Sequence, residues 1–169
     1  VSSVKKIVLL GLLISQALVL SIIESWIQIP VPVPGVKLGL ANIITVVVIV
    51  YFGFREALTV VIVRCVLTSF FGGGGWMFFF FSAAGGILST MIMSILYKTG
   101  RNKFSLTGIS IAGAITHNIG QLLVAAFFMR DPAVAVYLPV LLVSGCIMGF
   151  FVGFVSNLLV NALKKTKMY

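Results

Sequence analysis

From Trp76 to Tyr97 the chain reads WMFFFFSAAGGILSTMIMSILY, 22 residues without one charged side chain. The hydrocarbon core of a bilayer is about 30 Å thick and an α-helix rises about 1.5 Å per residue, so roughly 20 apolar residues in a row make a spanning helix. The rest of the sequence is of the same kind. Of 169 residues 60% are hydrophobic and 9% charged, at a mean hydropathy of +1.22, whereas soluble domains carry about a quarter charged residues. No soluble core hides that much apolar surface.

Working outward, five further apolar stretches predict five more helices, an all-α integral membrane protein of six transmembrane helices in a single domain covering 1–169. The first runs from Ile7 to Trp26 and stops before Pro30, Pro32 and Pro34, whose spacing forbids helix and favours an extended strap. Its start resembles a signal peptide behind Lys5 and Lys6, but it passes Ser21 without an A-x-A pattern, which predicts a retained helix. The second runs from Lys37 to Phe52, the third from Ala57 after a turn at 53–56 to Phe71, where Gly72 to Gly75 end it. The basic stretch Lys98 to Lys103 closes the fourth. The fifth spans Leu106 to Met129, Arg130-Asp131-Pro132 breaks the chain, and the sixth runs from Leu138 to Lys164 with Pro139 in its first turn.

The formal charge of +9 is distributed between these runs. With both termini inside, Lys5, Lys6, Arg55, Lys98, Arg101, Lys103, Lys164, Lys165 and Lys167 fall on the cytoplasmic side, against Lys37, Arg64 and Arg130 elsewhere. Positive loops are retained in the cytoplasm, so this nine-to-three split sets the orientation and accounts for the basic composition without a nucleic acid partner. The proline strap, the glycine run and the Arg130 turn are then expected outside.

A charge at the centre of a bilayer costs about 2.5–3.5 kcal/mol on insertion scales, so each such residue needs a partner, a wet cavity or a function. Arg64 lies about seven residues, hence roughly 10 Å, from the outer end of the third helix. It is readable either as a packing partner of Glu24 or as an anion-binding group. On the first helix Ser21, Glu24, Ser25 and Gln28 share one face near the outer end. The fifth carries His117, Asn118 and Gln121, the most polar cluster within any helix, and the second carries Asn42 and Thr45. Amides of this kind also serve as plain interhelical hydrogen bonds, worth about 0.6 kcal/mol on average. Gly11 and Ser15 form a small-residue pair that lets another helix approach. The run Phe78 to Phe81 reads as interfacial aromatics, and Cys65 and Cys146 as buried free thiols.

Three acidic residues in the whole chain leave no aspartate-rich Mg²⁺ site for diphosphates. The glycine run lacks the Lys-Ser/Thr of an ATP loop, and no ligand set surrounds His117. No catalytic residue, metal site or cofactor of its own is expected, and any energy for transport must come from another subunit.

Pro34-Gly-Val-Lys-Leu-Gly-Leu-Ala-Asn42, Gly53-Phe-Arg-Glu-Ala57, Arg64, Gly85-Gly86 and Thr116-His-Asn-Ile-Gly-Gln121 resemble the Gx transporter family, also labelled heptaprenyl diphosphate synthase component I. That family is similar to the substrate-binding S-components of energy-coupling factor (ECF) vitamin transporters. The resemblance implies a six-helix bundle in a prokaryotic plasma membrane that binds a small solute near the outer face. It also implies a coupling transmembrane subunit and two cytoplasmic ATPase subunits as partners. Gly35, Lys37, Asn42, Arg64, His117, Asn118 and Gln121 would be the positions near the solute, with Glu24 beside them. Gly11 and Ser15 stand where S-components often carry an alanine-based docking pair. A small anionic cofactor or precursor, such as a flavin, another vitamin or a prenyl phosphate, would fit this polarity. The contrasting expectation is a non-catalytic membrane subunit supporting prenyl diphosphate or quinone synthesis, or membrane electron transfer.

Overall fold

The second helix, Asn42–Tyr51 (α2), is the hub of the architecture, because it packs against every other α-helix. Its sequence, NIITVVVIVY, is apolar all round, as a helix enclosed on all sides must be, and Asn42 to Ile49 are all buried. Around it stand Ser3–Trp26 (α1), Phe54–Phe71 (α3), Gly75–Gly100 (α4), Leu106–Met129 (α5) and Leu138–Lys165 (α6). A 3-10 helix, Pro132–Tyr137, precedes α6. The computed structural model describes residues 3–27, 39–71, 75–100 and 103–165, and every helix or strand assigned among them is helical.

The most extensive helix–helix interfaces are α5 with α6 and α4 with α5. Both depend on glycine, since backbones approach where side chains are missing. A Cβ on Gly120 would meet the Ala84 carbonyl oxygen at 2.8 Å, and one on Gly149 would meet Ile111 Cα at 2.6 Å. By contrast, among the described residues α1 packs only against α2 and α3, leaving Val4, Ile7, Val8, Leu12, Val19 and Trp26 exposed. An apolar exterior on a chain this hydrophobic is the surface expected to meet lipid.

One end of the bundle is basic. The Lys6 ammonium of α1 hydrogen-bonds and pairs with the Glu56 carboxylate in the first turn of α3. Tyr51 Oη, ending α2, donates to the Val160 carbonyl of α6 at 2.9 Å, and Lys98 shares a groove with Gly53 and Phe54. Lys103 and Lys164 belong to the same end, next to Gly100 and Tyr97 respectively.

Several boundaries differ from those read in the sequence. The second helix begins at Asn42, not Lys37, because Gly39 takes a left-handed φ of +84° and Gly39–Ala41 form a turn. The turn before α3 is only Phe52–Gly53, with Gly53 at φ +92°, so helix resumes at Phe54. The stretch after Asp131 is a 3-10 helix capped by the Asp131 carboxylate, which accepts from Ala133 N at 2.8 Å. Cys146 is exposed on α6, while Cys65 is buried as expected. Of the phenylalanine run, Phe80 is exposed, but Phe81 packs in the core with Leu122, Ala125 and Leu141.

Four helices are long and apolar enough to cross a membrane: those within 4–24, 75–100, 106–129 and 133–165. The helix α3 carries Arg55, Glu56 and Arg64 within its 18 residues. The 10 residues of α2 rise only about 15 Å, half the hydrocarbon thickness.

Candidate functional site: a buried polar ring around Arg64 and Asn42

Three helices, α2, α3 and α5, bring polar side chains to one level. Counting from the basic end, Asn42, Arg64 and His117 each stand about 15 Å along their helices at 1.5 Å per residue, and all three are 2–3% exposed. Helices α2 and α5 need a partner for any polar group placed at this depth, since hydrocarbon supplies none.

Arg64 reaches from α3 to α1, where its Nη1 donates to Ser21 Oγ at 2.8 Å. Its Nη2 lies 3.7 Å from Cys65 Sγ, a weak contact, and that thiol in turn is 3.4 Å from Ser82 Oγ on α4. Nε has no hydrogen-bond partner among the described residues. One turn beyond Ser21, the Glu24 carboxylate accepts from Gly39 N, which holds the turn leading into α2. The Arg64 contact to α1 therefore runs through Ser21, and the Glu24 carboxylate is engaged with the Gly39 backbone.

Gly85 and Gly86 on α4 make the ring possible. A Cβ on Gly85 would lie 2.9 Å from the His117 ring atoms Cε1 and Nδ1 and 2.8 Å from the His117 carbonyl oxygen. One on Gly86 would meet Val61 Cγ1 at 2.7 Å and Arg64 Nη2 at 3.2 Å. The His117 imidazole and the Arg64 guanidinium thus lie against adjacent stretches of bare backbone. Gly39 plays the same part on the other side: a Cβ there would be 3.0 Å from Asn42 Nδ2 and 3.8 Å from His117 Cδ2. Sequence reasoning had Gly39, Gly85 and Gly86 only within the stretches that carry the family resemblance, because nothing local marks a glycine that makes room for a side chain of another element.

Asn42 is the anomaly of the ring. Neither Nδ2 nor Oδ1 has a hydrogen-bond partner among the described residues, although an unmet buried polar group costs about 1–3 kcal/mol. Asn118, expected beside His117, is turned away from it by the 100° step of one residue. Its Nδ2 donates to the Leu141 carbonyl of α6 at 2.7 Å, over Gly145. Gln121 is fully buried on α5, one turn after His117. Gly35 and Lys37, and the proline strap with them, lie outside the described residues.

The proposed docking pair is elsewhere. Ser15 Oγ donates to the Gly11 carbonyl at 3.0 Å on the exposed side of α1, and a Cβ on Gly11 would meet nothing within 4 Å. A groove of about 460 Å³ beside it runs between α1 and α6 over Ile43 and Ile44 of α2. A larger one, about 540 Å³, lies between α4 and α5 and is walled by Phe80, Leu88, Met91, Phe127 and Phe128. Both are apolar, and neither is lined by Arg64, Asn42 or His117. Among the described residues no three His, Cys, Asp or Glu side chains are grouped to hold a metal ion.

The family model described as heptaprenyl diphosphate synthase component I matches residues 13–159, a span that holds all the ring residues just described. No curated protein and no solved structure matches the chain.

Proposed function

We propose that this chain, which belongs to the heptaprenyl diphosphate synthase component I family, is a non-catalytic membrane subunit that captures a small anionic solute from outside. In this reading it is the substrate-binding S-component of an ECF-type transporter. All six helices cross or enter the bilayer of a prokaryotic plasma membrane, and both termini lie in the cytoplasm. A coupling transmembrane subunit and two cytoplasmic ATPase subunits supply the energy, the Gly11 and Ser15 face of α1 meeting the coupling subunit.

The observation that carries this reading is Arg64. A guanidinium 2% exposed at bilayer depth, with Nε unpartnered among the described residues, is stabilised by an anion far better than by lipid, because a charge-assisted fork matches carboxylate and phosphate. Lys37 adds a second positive charge, and His117 and Gln121 supply orienting hydrogen bonds. The short α2 supports the same site. Non-helical backbone at membrane depth, as at Gly39–Ala41, is tolerated where it is buried in protein or lines a cavity, and half-length helices of this sort surround the solute in other transporters.

A second reading rests on the groove between α4 and α5, whose phenylalanine walls suit a prenyl or acyl chain. There the chain is a membrane subunit that supports prenyl diphosphate or quinone synthesis without transporting anything. Native mass spectrometry of the purified protein separates the two. A small polar anion that co-purifies with the wild type and is lost in Arg64→Gln supports capture. A bound prenyl chain that is indifferent to Arg64→Gln overturns it.

A further inference from the structure

We infer that the Asn42 carboxamide reads an amide-type edge, adjacent N–H and C=O groups in one plane. The solute of the proposed site is then an anionic heterocycle carrying a lactam, imide or ureide edge, and not an anion on a plain hydrocarbon body. This rests on the reading of the ring as a solute site.

Two buried asparagines of the same bundle supply the contrast. Asn118 is satisfied by the fold, its Nδ2 bonded to the Leu141 carbonyl at 2.7 Å. Asn42, equally buried, has neither amide atom hydrogen-bonded to a described residue. It is nonetheless held in place: it opens α2 with its own N–H bonded to the Gly39 carbonyl at 2.9 Å, and Gly39 N is bonded to Glu24. Gly39 is the residue whose missing side chain leaves room for Asn42 Nδ2, and its φ of +84° suits glycine.

The chemistry then selects the partner. A carboxamide presents a donor and an acceptor side by side, the pattern by which Asn and Gln take the donor–acceptor edge of adenine in two parallel bonds. A phosphate or carboxylate only accepts, so it would satisfy Nδ2 and repel Oδ1. A prenyl chain satisfies neither atom. A cyclic amide edge satisfies both, while the charge on the same molecule meets the Arg64 guanidinium.

The test uses the full chain in nanodiscs and measures dissociation constants for three kinds of probe. Flavin mononucleotide carries an imide edge with a negative charge, its N3-methylated analogue has that edge blocked, and geranyl diphosphate is an anion without one. An edge-bearing probe should bind, N3-methylation should weaken it by about tenfold or more, and Asn42→Leu should remove the difference between the pair. The methylation comparison needs only the wild-type chain, so it stands even where Asn42→Leu fails to fold. If geranyl diphosphate binds in an Arg64-dependent way and Asn42→Leu leaves it unchanged, the edge inference fails and anion capture survives. If methylation has no effect on a bound probe, the edge inference fails alone. If no probe binds, both fail.

Discussion

Arg64 and Ser21, 43 residues apart in sequence, are joined by a 2.8 Å hydrogen bond between two buried side chains on α3 and α1. Among the described residues helix α1 packs against α2 and α3, and this bond is one of the polar ties that fix its rotation. The same guanidinium is the centre of the proposed site. Ligand capture and the seating of α1 are therefore linked through one side chain.

That linkage is measurable as a coupling energy. Hydrogen bonds between membrane helices are worth about 0.6 kcal/mol on average and up to about 1.7. Ser21→Ala should destabilise the chain by about that much in detergent unfolding. Arg64→Gln should destabilise it similarly, and the double variant by clearly less than the sum. Strict additivity would mean that the two side chains do not interact in the folded protein.

The glycines make a graded series. In Gly85→Ala the new methyl meets the His117 carbonyl oxygen, which a helix backbone cannot easily withdraw. Overpacking of this kind costs about 1–3 kcal/mol. Gly86→Ala meets the ends of Val61 and Arg64 and should cost less stability, while displacing the guanidinium and weakening solute binding. Gly11→Ala meets nothing and should stabilise α1, by up to the roughly 1 kcal/mol by which alanine exceeds glycine in helices. Thermal unfolding of the three variants in one detergent gives the order directly, and a Gly11→Ala chain as damaged as Gly85→Ala would contradict the placement of α1.

The helices were legible because bilayer thickness imposes a length on apolar runs, and Leu106 to Met129 emerged with the bounds read from the sequence. The start of α2 was not. Lys37 to Phe52 is one apolar run to the eye, and only the left-handed turn at Gly39, stabilised by Glu24 from another helix, cuts it at Asn42. The candidate site residues were legible as expensive polar groups, which is why Arg64, Asn42 and His117 stood out in the sequence. Their partners were not, because Ser21 to Arg64 and His117 to Gly85 are contacts across helices, with no trace in local spacing. The one-residue step that sends Asn118 to α6 and His117 to α4 likewise depends on which way α5 is turned.

Asn118 accordingly should behave as a structural residue. Asn118→Ala removes the bond to the Leu141 carbonyl and should lower unfolding stability by about 0.5–1.5 kcal/mol, with solute affinity unchanged in the fraction that folds. His117→Ala should do the reverse, weakening the solute with the smaller effect on stability. Isothermal titration beside thermal unfolding for both variants decides it, and equal affinity losses would return Asn118 to the site.

The orientation of the site depends on the basic end. Lys6, Lys98, Lys103 and Lys164 gather where α1, α3 and α5 begin and α2, α4 and α6 end, and positive ends are retained in the cytoplasm. Ser105, which caps α5 there by accepting from Gly108 N at 3.1 Å, is exposed at that end. Gly74 is next in sequence to Gly75, with which α4 begins at the opposite end. In a background of Cys65→Ala and Cys146→Ala, a membrane-impermeant maleimide applied to intact cells should label the Gly74→Cys chain at once. It should spare the Ser105→Cys chain until the cells are permeabilised. In the wild-type chain the native thiols provide a separate check of packing, since a lipid-soluble maleimide should modify exposed Cys146 and leave buried Cys65 intact. The reverse labelling at Ser105 and Gly74 would place the basic end outside. Arg64 and Asn42, about 15 Å from that end, would then open toward the cytoplasm, and capture from outside would be untenable.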